Sequence, residues 1–507
     1  MENPKIVTIE KLALLSKLAK EGGKKVVLCH GTFDLLHTGH IRHLQSARHK
    51  GDLLLVTITA DEYVNKGPGR PIFNEQLRAE NLAALECTGF VAINYESSAE
   101  NIIAKIQPNL YAKGSDYQSH SLDITGNIIL EQNAVEAHGG KIIFTNELTF
   151  SSSNLLNTHF EVFTQEVKEF LSSFKQEHSE HSLKLIMNSI SGLNVLVIGE
   201  AIIDEYHYCS PLGQAGKGNF QSVLYDTEER FAGGSIAVAN HISSFVSSVT
   251  LLSGIGKSPK DHDFIQSKLS KNVVPKFFQF KDAPTITKRR FVGLDLEKFF
   301  EVYLANENAV SPELDANICD WISEYCSKFD VVIVPDFGNG FITKSMARQI
   351  EAKAKFLAIN TQINSGNRGY HAINKYINAD FISLNEPELR LAAHNKTEPV
   401  ELLASDICKK MGAKYLAVTR GAKGVMLFDS GKDSYFNIPA LATRVIDRVG
   451  AGDAFLSIAG LCASKSINGK VLGLLGSVAA ALDVQIICNR ESINSIDFQR
   501  YLTTLLK

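Results

Sequence analysis

Short apolar runs alternate with helical segments along the first third of the chain. The runs have strand length, whereas apolar residues in the intervening segments recur with the spacing of an amphipathic helix. The strand-like runs are residues 53–59, 90–93, 110–112 and 141–144, and the helical segments include 74–85 and 99–106. This alternation predicts βαβ units and therefore an α/β domain built on a parallel sheet.

A second series of the same kind begins near residue 194. Its runs are apolar on both faces, as a sheet covered by helices on both sides requires. They lie at residues 194–199, 331–334, 356–359, 381–384 and 415–419. Two polar segments with strand-like aromatics, 221–231 and 285–303, interrupt this series. We expect a second α/β domain that carries a small β lid over a site.

The boundary between the two series is helical. Apolar residues recur with helical spacing between 160 and 174, and the polar run 175–182 follows. We therefore divide the 507 residues into a domain at 1–158, a helical linker at 159–190 and a domain at 191–507. In the alternative interpretation, this helix packs on one of the domains instead of separating them.

Composition excludes several classes of partner. The chain has 52 basic and 55 acidic residues and a net charge of −3, so no global field favours nucleic acid or an anionic membrane. The apolar stretch 471–487 contains Asp483 and Gln485, which predicts a buried helix and no membrane span. Eight cysteines without a CxxC pair predict free thiols. Together with an N-terminal segment interrupted by charges, they indicate a cytoplasmic protein.

The first motif follows the strand-like run at 25–29. The sequence HGTFDLLHTGH at 30–40 places His37 and His40 three residues apart at the start of a predicted helix. A helix N-terminus offers unpaired N–H groups and the positive end of the dipole, both of which suit a polyphosphate. Nucleotidyl transfer needs charge stabilisation and alignment, which two imidazoles and the Thr32 backbone can supply. A metal pair or a chance helix start remains an alternative for HxGH alone.

The second motif is DRVGAGD at 447–453. Gly450, Ala451 and Gly452 can present backbone N–H groups at a helix start, while Asp453 can take a proton from a substrate hydroxyl. A base and a set of phosphate donors are what phosphorylation of an alcohol requires. The motif therefore predicts a kinase site.

The first half resembles the cytidylyltransferase-like nucleotidyltransferases, which have a Rossmann-like fold, through its GTFDLLHTGH string. Further strings at 67–72, 76–78 and 108–117 resemble the adenylyltransferase half of the bifunctional heptose kinase/adenylyltransferases of ADP-heptose synthesis. The resemblance implies substrate contacts for Asp34 and Arg70. It implies nucleotide contacts for Gly31, Thr32, Phe33, Lys113, Ser151, Ser152 and Ser153. Taken alone, a triple serine is more often a helix N-cap.

The second half, from about 193 to 506, is similar to the ribokinase-like PfkB sugar kinases. This resemblance implies nucleotide contacts for Asn385, Glu388, Thr419, Gly421, Gly450, Ala451 and Gly452, with the first two also acting on the magnesium shell. It implies substrate contacts for Asp204, Gly233, Gly234, Lys288 and Arg290. Simpler alternatives are helix caps at Asp204 and Asn385 and an exposed basic lid edge at 288–290.

Several positions depart from the resembling families. Ala237 stands where the sugar kinases usually have asparagine, so a sugar contact is absent or comes from Asn240. Arg448 stands where many of them have threonine. The kinase comes second here, whereas it comes first in the resembling bifunctional enzymes, and residues 118–139 match them poorly. These departures bear on the identity of the sugar more than on the chemistry.

The sequence thus predicts a bifunctional enzyme that phosphorylates a sugar phosphate and joins a sugar 1-phosphate to a nucleotide. Heptose 7-phosphate and ADP-heptose are the expected substrate and product. Mg²⁺ and ATP would serve both reactions, and no residue is assigned as a metal ligand. One alternative uses CTP and a different sugar or polyol phosphate; another is a nucleotide- or sugar-binding regulator with an inactive kinase half. The resemblance also implies a possible homodimer through the lid.

Overall fold

The computed structural model describes residues 3–64, 70–114, 127–145, 163–293 and 295–506. The chain forms two compact units, one of residues 1–164 with 499–507 and one of residues 165–498. Each unit is built on its own largely parallel sheet covered by helices. The predicted α/β class is therefore confirmed.

A five-stranded parallel sheet organises the N-terminal unit, in the order β3-β2-β1-β4-β5. Val27 and Cys29 pack into the core on one face of the sheet, and Val26 and Leu28 pack into the core on the other. The strands are β1 (Val26–Gly31), β2 (Leu53–Thr59), β3 (Phe90–Asn94), β4 (Leu110–Gly114) and β5 (Lys141–Thr145). The helices are α1 (Ile9–Glu21), α2 (Thr38–Arg48), α3 (Glu75–Ala83), α4 (Glu100–Ile106) and α5 (Asn127–Ala137).

The C-terminal unit has a nine-stranded sheet in the order β10-β9-β6-β13-β14-β15-β16-β17-β18, and its last two strands are antiparallel. Because the other strands are parallel, their carboxyl ends share one edge. The strands are β6 (Asn194–Ile198), β9 (Ser248–Ile255), β10 (Val273–Gln279), β13 (Val331–Asp336), β14 (Leu357–Thr361), β15 (Phe381–Asn385), β16 (Tyr415–Thr419), β17 (Val425–Asp429) and β18 (Ser434–Ile438).

Helices cover both faces of this sheet. The helix that begins at Ala451 has its N-terminus within the GAGD sequence, where the second motif predicts it. The helices of this unit are α6 (Gln165–Glu177), α7 (Glu180–Ile190), α8 (Ser235–Ser243), α9 (Pro259–Lys268), α10 (Pro312–Tyr325), α11 (Lys344–Lys353), α12 (Glu386–Ala392), α13 (Val400–Lys410), α14 (Ala451–Ala463) and α15 (Gly469–Asp483). The last helix, α16 (Ser495–Leu506), contains the division between the two units at residues 498 and 499.

The predicted lid is a four-stranded sheet in the order β12-β11-β7-β8. Its strands are β7 (Ala201–Gln214), β8 (Gln221–Gly234), β11 (Ile286–Val292) and β12 (Lys298–Leu304). β11 lies parallel to β7, whereas β12 and β8 are antiparallel to their neighbours. The sequence analysis did not predict β7, because that segment continues directly from β6.

The helices α6 and α7 belong to the C-terminal unit. Phe174 on α6 is fully buried, and Glu177 Oε1 forms an ion pair with Lys470 Nζ on α15 at 2.8 Å. Residues 160–162 of the predicted linker helix lie outside the described residues. In the structure, α6 therefore packs against the C-terminal unit.

Two sequence expectations concern the interior. All eight cysteines are unpaired, which confirms the expectation of free thiols. Most of α15 is buried in the protein, as predicted for the apolar stretch that begins at 471. Within the described residues, every helix is too short or too polar to cross a bilayer.

Candidate active sites

The two histidines of the first motif stack at the start of α2. Their ring centroids are 3.9 Å apart and the planes differ by 23°. His37 is the N-cap, and its Nδ1 accepts the Gly39 N–H at 3.1 Å, which leaves the proton of the neutral ring on Nε2. Burial lowers the pKa of His37 and favours this neutral form. His40 Nδ1 donates to the Leu35 carbonyl at 3.2 Å, so both rings have fixed orientations.

The turn before α2 is held tightly. Phe33 adopts a left-handed conformation with φ of 48°, and its ring meets His40 edge-on at 5.4 Å. A side chain on Gly31 would approach the Phe33 ring to 3.2 Å. Thr32 is nearly buried. These contacts fix the backbone that the first motif offers to a phosphate.

Arg78 is the residue that anchors this turn. Its side chain is fully buried and donates to the carbonyls of Thr32 at 2.6 Å and Thr59 at 2.8 Å. It also pairs with Asp61 at 2.5 Å. The sequence analysis included Arg78 in a family-like string but assigned it no role. A local sequence pattern carries no signal for contacts between β1, β2 and α3.

Asp34 and Arg70 form a second anchor. Asp34 accepts the backbone N–H groups of Ile72 at 2.7 Å and Phe73 at 3.1 Å, and it pairs with Arg70 Nη1 at 2.9 Å. Both side chains are almost fully buried. Arg70 Nη2 lacks a hydrogen-bond partner within the described part of the chain. Asp34 is therefore engaged in holding the segment at 70–73, and Arg70 is the member of the pair with a remaining donor.

The other predicted contacts of the first site are only partly described. Lys113 forms a buried ion pair with Glu131 at 2.8 Å. Burial and Lys113 lower the pKa of nearby His43 to about 4, and its Nδ1 lies 2.7 Å from Thr145 Oγ1. The predicted contacts at Ser151, Ser152 and Ser153 lie outside the described residues.

The second motif forms the N-terminus of α14. Gly450 is the N-cap with φ of 102°, a conformation that favours glycine, and Asp453 lies in the first helical turn. Burial raises the pKa of Asp453 to about 7. Lys288 opposes this rise, whereas Asp204 and Glu388 add to it. The structure thus places three other predicted residues, Lys288, Asp204 and Glu388, around the Asp453 carboxyl group.

The basic triplet at 288–290 divides between the two faces of the lid. Lys288 and Arg290 are buried, and Arg290 pairs with Asp204 and, at 3.3 Å, with Glu301. Arg289 points to the opposite face and pairs with Glu205 at 2.8 Å. The exposed-edge alternative is therefore wrong for Lys288 and Arg290. The helix-cap alternative is wrong for Asp204, which lies in β7.

Lys288 has an aromatic setting. Its ammonium lies 5.5 Å from the ring centre of Tyr303 and 5.8 Å from that of Phe337. Cation–π contacts of this kind hold an ammonium that burial would otherwise penalise. Lys288 therefore faces the space between the lid and Asp453.

The paired glycines pack closely against their neighbours. A Cβ on Gly233 would fall 2.0 Å from Asp204 Oδ2, and one on Gly234 would fall 2.4 Å from the Glu200 carbonyl. Gly234 also has φ of 62°. A side chain at Gly234 would therefore require the backbone to move, whereas one at Gly233 would displace the Asp204 carboxylate.

Asn385 and Glu388 form a capping box. The Asn385 side chain accepts the Glu388 N–H at 2.8 Å, and Glu388 accepts the Asn385 N–H at 2.7 Å. Asn385 and Glu388 therefore cap α12, as the alternative interpretation predicts. Burial raises the pKa of Glu388 to about 7. At the neighbouring strand end, Thr419 closes β16, and Gly421 follows with φ of 58° and open space around it.

The sequence analysis included Asp447 in the second motif but did not predict that its carboxylate accepts several hydrogen bonds at once. Its carboxylate accepts the Tyr206 hydroxyl at 2.7 Å and the Lys298 ammonium at 3.3 Å, both from the lid. It also accepts the N–H groups of Arg448, Val449 and Cys488. Burial alone would raise the pKa of Asp447, but Tyr206 and Lys298 outweigh it and hold the pKa below its usual range. A cleft of about 380 Å³ lies alongside, lined by Asp295, Leu296, Lys298, Val445, Ile446, Asp447 and Arg448.

Asn240 does not replace the asparagine that Ala237 lacks. Its Nδ2 donates to the Lys268 carbonyl at 2.9 Å, and its Oδ1 accepts the Ser270 N–H at 3.0 Å. Both ends of the carboxamide are used between α8 and the segment after α9. The expectation of a sugar contact from Asn240 is therefore wrong.

The part of the chain that the structure describes contains no cluster of three or more His, Cys, Asp or Glu side chains with metal-binding geometry. Mg²⁺ in phosphoryl-transfer sites is held largely by water and substrate phosphates. A metal that arrives with the triphosphate fits this donor set, and Glu388 is a buried carboxyl positioned on the predicted nucleotide side.

Comparison with curated proteins finds relatives of the N-terminal unit. The "Bifunctional protein HldE" of Pelobacter propionicus is 40% identical over 140 residues, 27% of each chain. That of Pectobacterium carotovorum is 36% identical over 156 residues, 30% of this chain and 31% of its own. The similarity spans about a third or less of the length of these relatives.

Solved structures resemble the C-terminal unit. Ribokinase from Thermotoga maritima matches with a TM-score of 0.50 and 17% identity over 61% of this chain and 99% of its own. Phosphofructokinase-2 from Escherichia coli in complex with fructose-6-phosphate matches with a TM-score of 0.50 and 15% identity over 62% and 100%. At this identity the likeness shows a shared fold.

Two family descriptions match the chain, and they confirm the predicted pair of domains. "Cytidylyltransferase-like" matches residues 28–175, which contain the stacked histidines. "pfkB family carbohydrate kinase" matches residues 193–487, more than half of the chain, and includes the lid, Asp204 and the GAGD turn. The chain therefore belongs to the pfkB family of carbohydrate kinases.

Proposed function

We propose that the C-terminal unit transfers the γ-phosphoryl group of ATP to a hydroxyl of a sugar phosphate, with heptose 7-phosphate as the substrate. The observation that carries this proposal is the environment of Asp453. Its carboxyl is buried at a helix N-terminus, has a pKa of about 7 and faces Lys288 and Asp204. A base with this pKa can accept a hydroxyl proton near neutral pH.

The chemistry follows from the placement of these groups. The substrate hydroxyl loses its proton to Asp453 as its oxygen bonds to the γ-phosphorus, and ADP leaves with the bridging oxygen. The N–H groups at Gly450, Ala451 and Gly452 would stabilise charge on the transferred group. Lys288 would bind the acceptor's own phosphate or the transferred group. Mg²⁺ bound to the triphosphate would screen its charge.

We propose that the N-terminal unit transfers a nucleotidyl group to a sugar 1-phosphate and releases pyrophosphate. The stacked pair at the start of α2 supports this proposal, because His37 Nε2–H and the helix N-terminus suit charge developing on the α-phosphate. Arg70 retains a buried donor near the same turn. With ATP and heptose 1-phosphate the product would be ADP-heptose.

The two reactions need a dephosphorylation between them. The sugar released by the kinase would carry two phosphate groups, whereas the sugar 1-phosphate that accepts the nucleotidyl group carries one. A phosphatase must therefore act before the second step. The similarity of the N-terminal unit to bifunctional HldE proteins supports heptose as the sugar.

Two further functions are tested by the same experiment. CTP with a different sugar or polyol phosphate is favoured by the match to the cytidylyltransferase-like family. A regulator with an inactive kinase half is favoured by Ala237 and Arg448, which depart from other sugar kinases.

The experiment is a product assay on the full chain. Purified protein is incubated with Mg²⁺, ATP or CTP, and panels of sugar 7-phosphates, sugar 1-phosphates and unphosphorylated sugars, and products are read by mass spectrometry. Heptose bisphosphate and ADP-heptose are the expected products. A CDP-sugar would overturn the choice of nucleotide, and the absence of turnover across the panel would favour the regulator.

We also propose that both reactions occur in the cytoplasm and that the kinase unit forms a homodimer through the lid. Phe300, Val302 and Leu304 on β12 are 48%, 39% and 41% exposed, which supports an apolar contact surface there. Light scattering of the wild type and of a Phe300→Glu variant tests this. We expect a dimer for the wild type and a monomer for the variant; a monomeric wild type would overturn the proposal.

A further inference from the structure

The acceptor pocket lacks the carboxamide that the sugar kinases usually place after their glycine pair. Ala237 is buried in α8, and Asn240 directs its side chain to Lys268 and Ser270. A different amide, that of Asn489 in the segment between α15 and α16, lies close to Gly233.

The position of Asn489 follows from the two glycines it faces. Its Nδ2 lies 3.5 Å from the place where a Cβ on Gly233 would be, and Asp204 Oδ2 lies 2.0 Å from that place. Its Oδ1 lies 3.0 Å from the corresponding place on Gly450. The carboxamide therefore lies between the glycine pair of the lid and the turn that leads to Asp453.

The hydrogen-bonding capacity of this amide is largely unused. Nδ2 makes one weak contact, at 3.8 Å, to the Cys488 sulfur. Oδ1 is buried and has no hydrogen-bond partner in the described structure. A buried polar atom without a partner destabilises the protein, so a polar ligand or ordered water at this point is favoured.

Asp204 complements the amide. Its Oδ1 is occupied by Arg290, whereas Oδ2 packs against Gly233, 2.0 Å from where a Cβ would be. A sugar hydroxyl is both a donor and an acceptor. A hydroxyl placed beside Oδ2 could donate its proton to that oxygen while its own oxygen accepts an N–H from Asn489.

We propose that Asn489 is a substrate-binding residue of the kinase site and that, together with Asp204, it holds one hydroxyl of the acceptor sugar. This inference rests on the proposed kinase function of the C-terminal unit. Asn489 takes over the contact that Ala237 cannot make. It approaches the sugar from the segment after α15, opposite to the α8 position where other sugar kinases carry their asparagine.

The test compares Asn489→Ala with the wild type on the sugar that the wild type phosphorylates in the substrate panel. Loss of one hydrogen bond should raise KM for that sugar about tenfold, while kcat and KM for ATP stay within about threefold. Asn489→Asp keeps the shape but places a second carboxylate beside Asp204, so its KM at pH 8 should rise further. Asn378→Ala, an exposed asparagine at the opposite edge of the sheet, is the matched control.

Monodeoxy analogues of the sugar separate a direct contact from a structural role. One analogue should lack the hydroxyl that Asn489 binds, and the wild type should show about a tenfold or greater loss of kcat/KM on it. On that same analogue, kcat/KM of Asn489→Ala should be little lower than that of the wild type. Equal additional losses on every analogue, or an unchanged KM in both variants, would overturn the inference while leaving the kinase function in place. Absence of phosphorylation by the wild type would overturn both the role of Asn489 and the kinase function. The nucleotidyl transfer proposed for the N-terminal unit would not be affected by that result.

Discussion

Lys298, at the start of the last lid strand, lies 3.3 Å from Asp447, the residue that opens the turn leading to Asp453. The same carboxylate accepts the hydroxyl of Tyr206 from β7. Two lid strands therefore contact the turn of the second motif at one side chain, and the position of the lid and the shape of the turn are linked through it.

Lys298→Met should weaken this link. The Lys298 side chain is 39% exposed, so the ion pair is screened, and we expect KM for the sugar to rise about twofold to fivefold with little change in protein stability. Steady-state kinetics of phosphorylation measures it. Lys271→Met, at an exposed position on the same unit, should behave as the wild type; an equal change in both variants would contradict the assignment.

The phosphorylation rate should follow the ionisation of Asp453. Because burial raises the pKa of Asp453 to about 7, the carboxyl is protonated and inactive as a base below that pH. We expect kcat/KM to fall about tenfold per unit below pH 7 and to level off above it. Lys288 favours the ionised form, so Lys288→Met should move the midpoint to higher pH. A flat profile between pH 5.5 and 8.5 would contradict the role of Asp453.

The two activities should be separable by single substitutions. His40→Ala removes one imidazole at the start of α2 and should reduce pyrophosphate release by at least about a hundredfold. Asp453→Asn should reduce sugar phosphorylation by about a hundredfold to ten-thousandfold. Each variant should keep the other activity. Loss of both activities in a folded variant would refute two separate sites.

Gly233→Ala should remove kinase activity without unfolding the protein. The added methyl would fall 2.0 Å from Asp204 Oδ2 and force that carboxylate away from Arg290 and from the acceptor. Phosphorylation assays with a thermal melt of the same sample measure both effects. Gly192→Ala has open space around its Cβ and should leave the rate unchanged.

Arg78→Met should disable nucleotidyl transfer. It would leave the Thr32 and Thr59 carbonyls without the Arg78 donor, and an unpaired buried carbonyl costs about 1–3 kcal/mol. Loss of the ion pair with Asp61 adds less, because the Asp61 side chain is 37% exposed. Pyrophosphate release should be lost, while sugar phosphorylation persists. Arg48→Met removes only a bond to the Gly51 carbonyl and serves as the control.

The sequence predicted what is local. The strand-length runs located both parallel sheets, and the two glycine motifs located the helix starts at His37 and Gly450. Contacts made across long stretches of chain were not predictable in this way. Tyr206 and Asp447 are 241 residues apart in sequence, and neither the periodicity nor the motif around either residue indicates the other.

Asn489 shows the same limit. Its neighbours in sequence contain no motif, and its relation to Gly233 exists only because the lid and the segment after α15 converge. The sequence analysis offered Asn240 as one source of the missing sugar contact, yet its carboxamide is used in packing. The sequence around Ala237 therefore gave no indication of which amide lies beside Gly233.

The alternation along β11 has an evolutionary consequence. Lys288 and Arg290 are buried on the face of the lid that carries Asp204, whereas Arg289 between them pairs with Glu205 on the opposite face. Selection for a new acceptor can alter the two outer positions while the middle one remains paired with Glu205. In a family alignment, Arg289 should then covary with residue 205, and Arg290 with residue 204. The adjacent positions 289 and 290 would therefore evolve independently of each other.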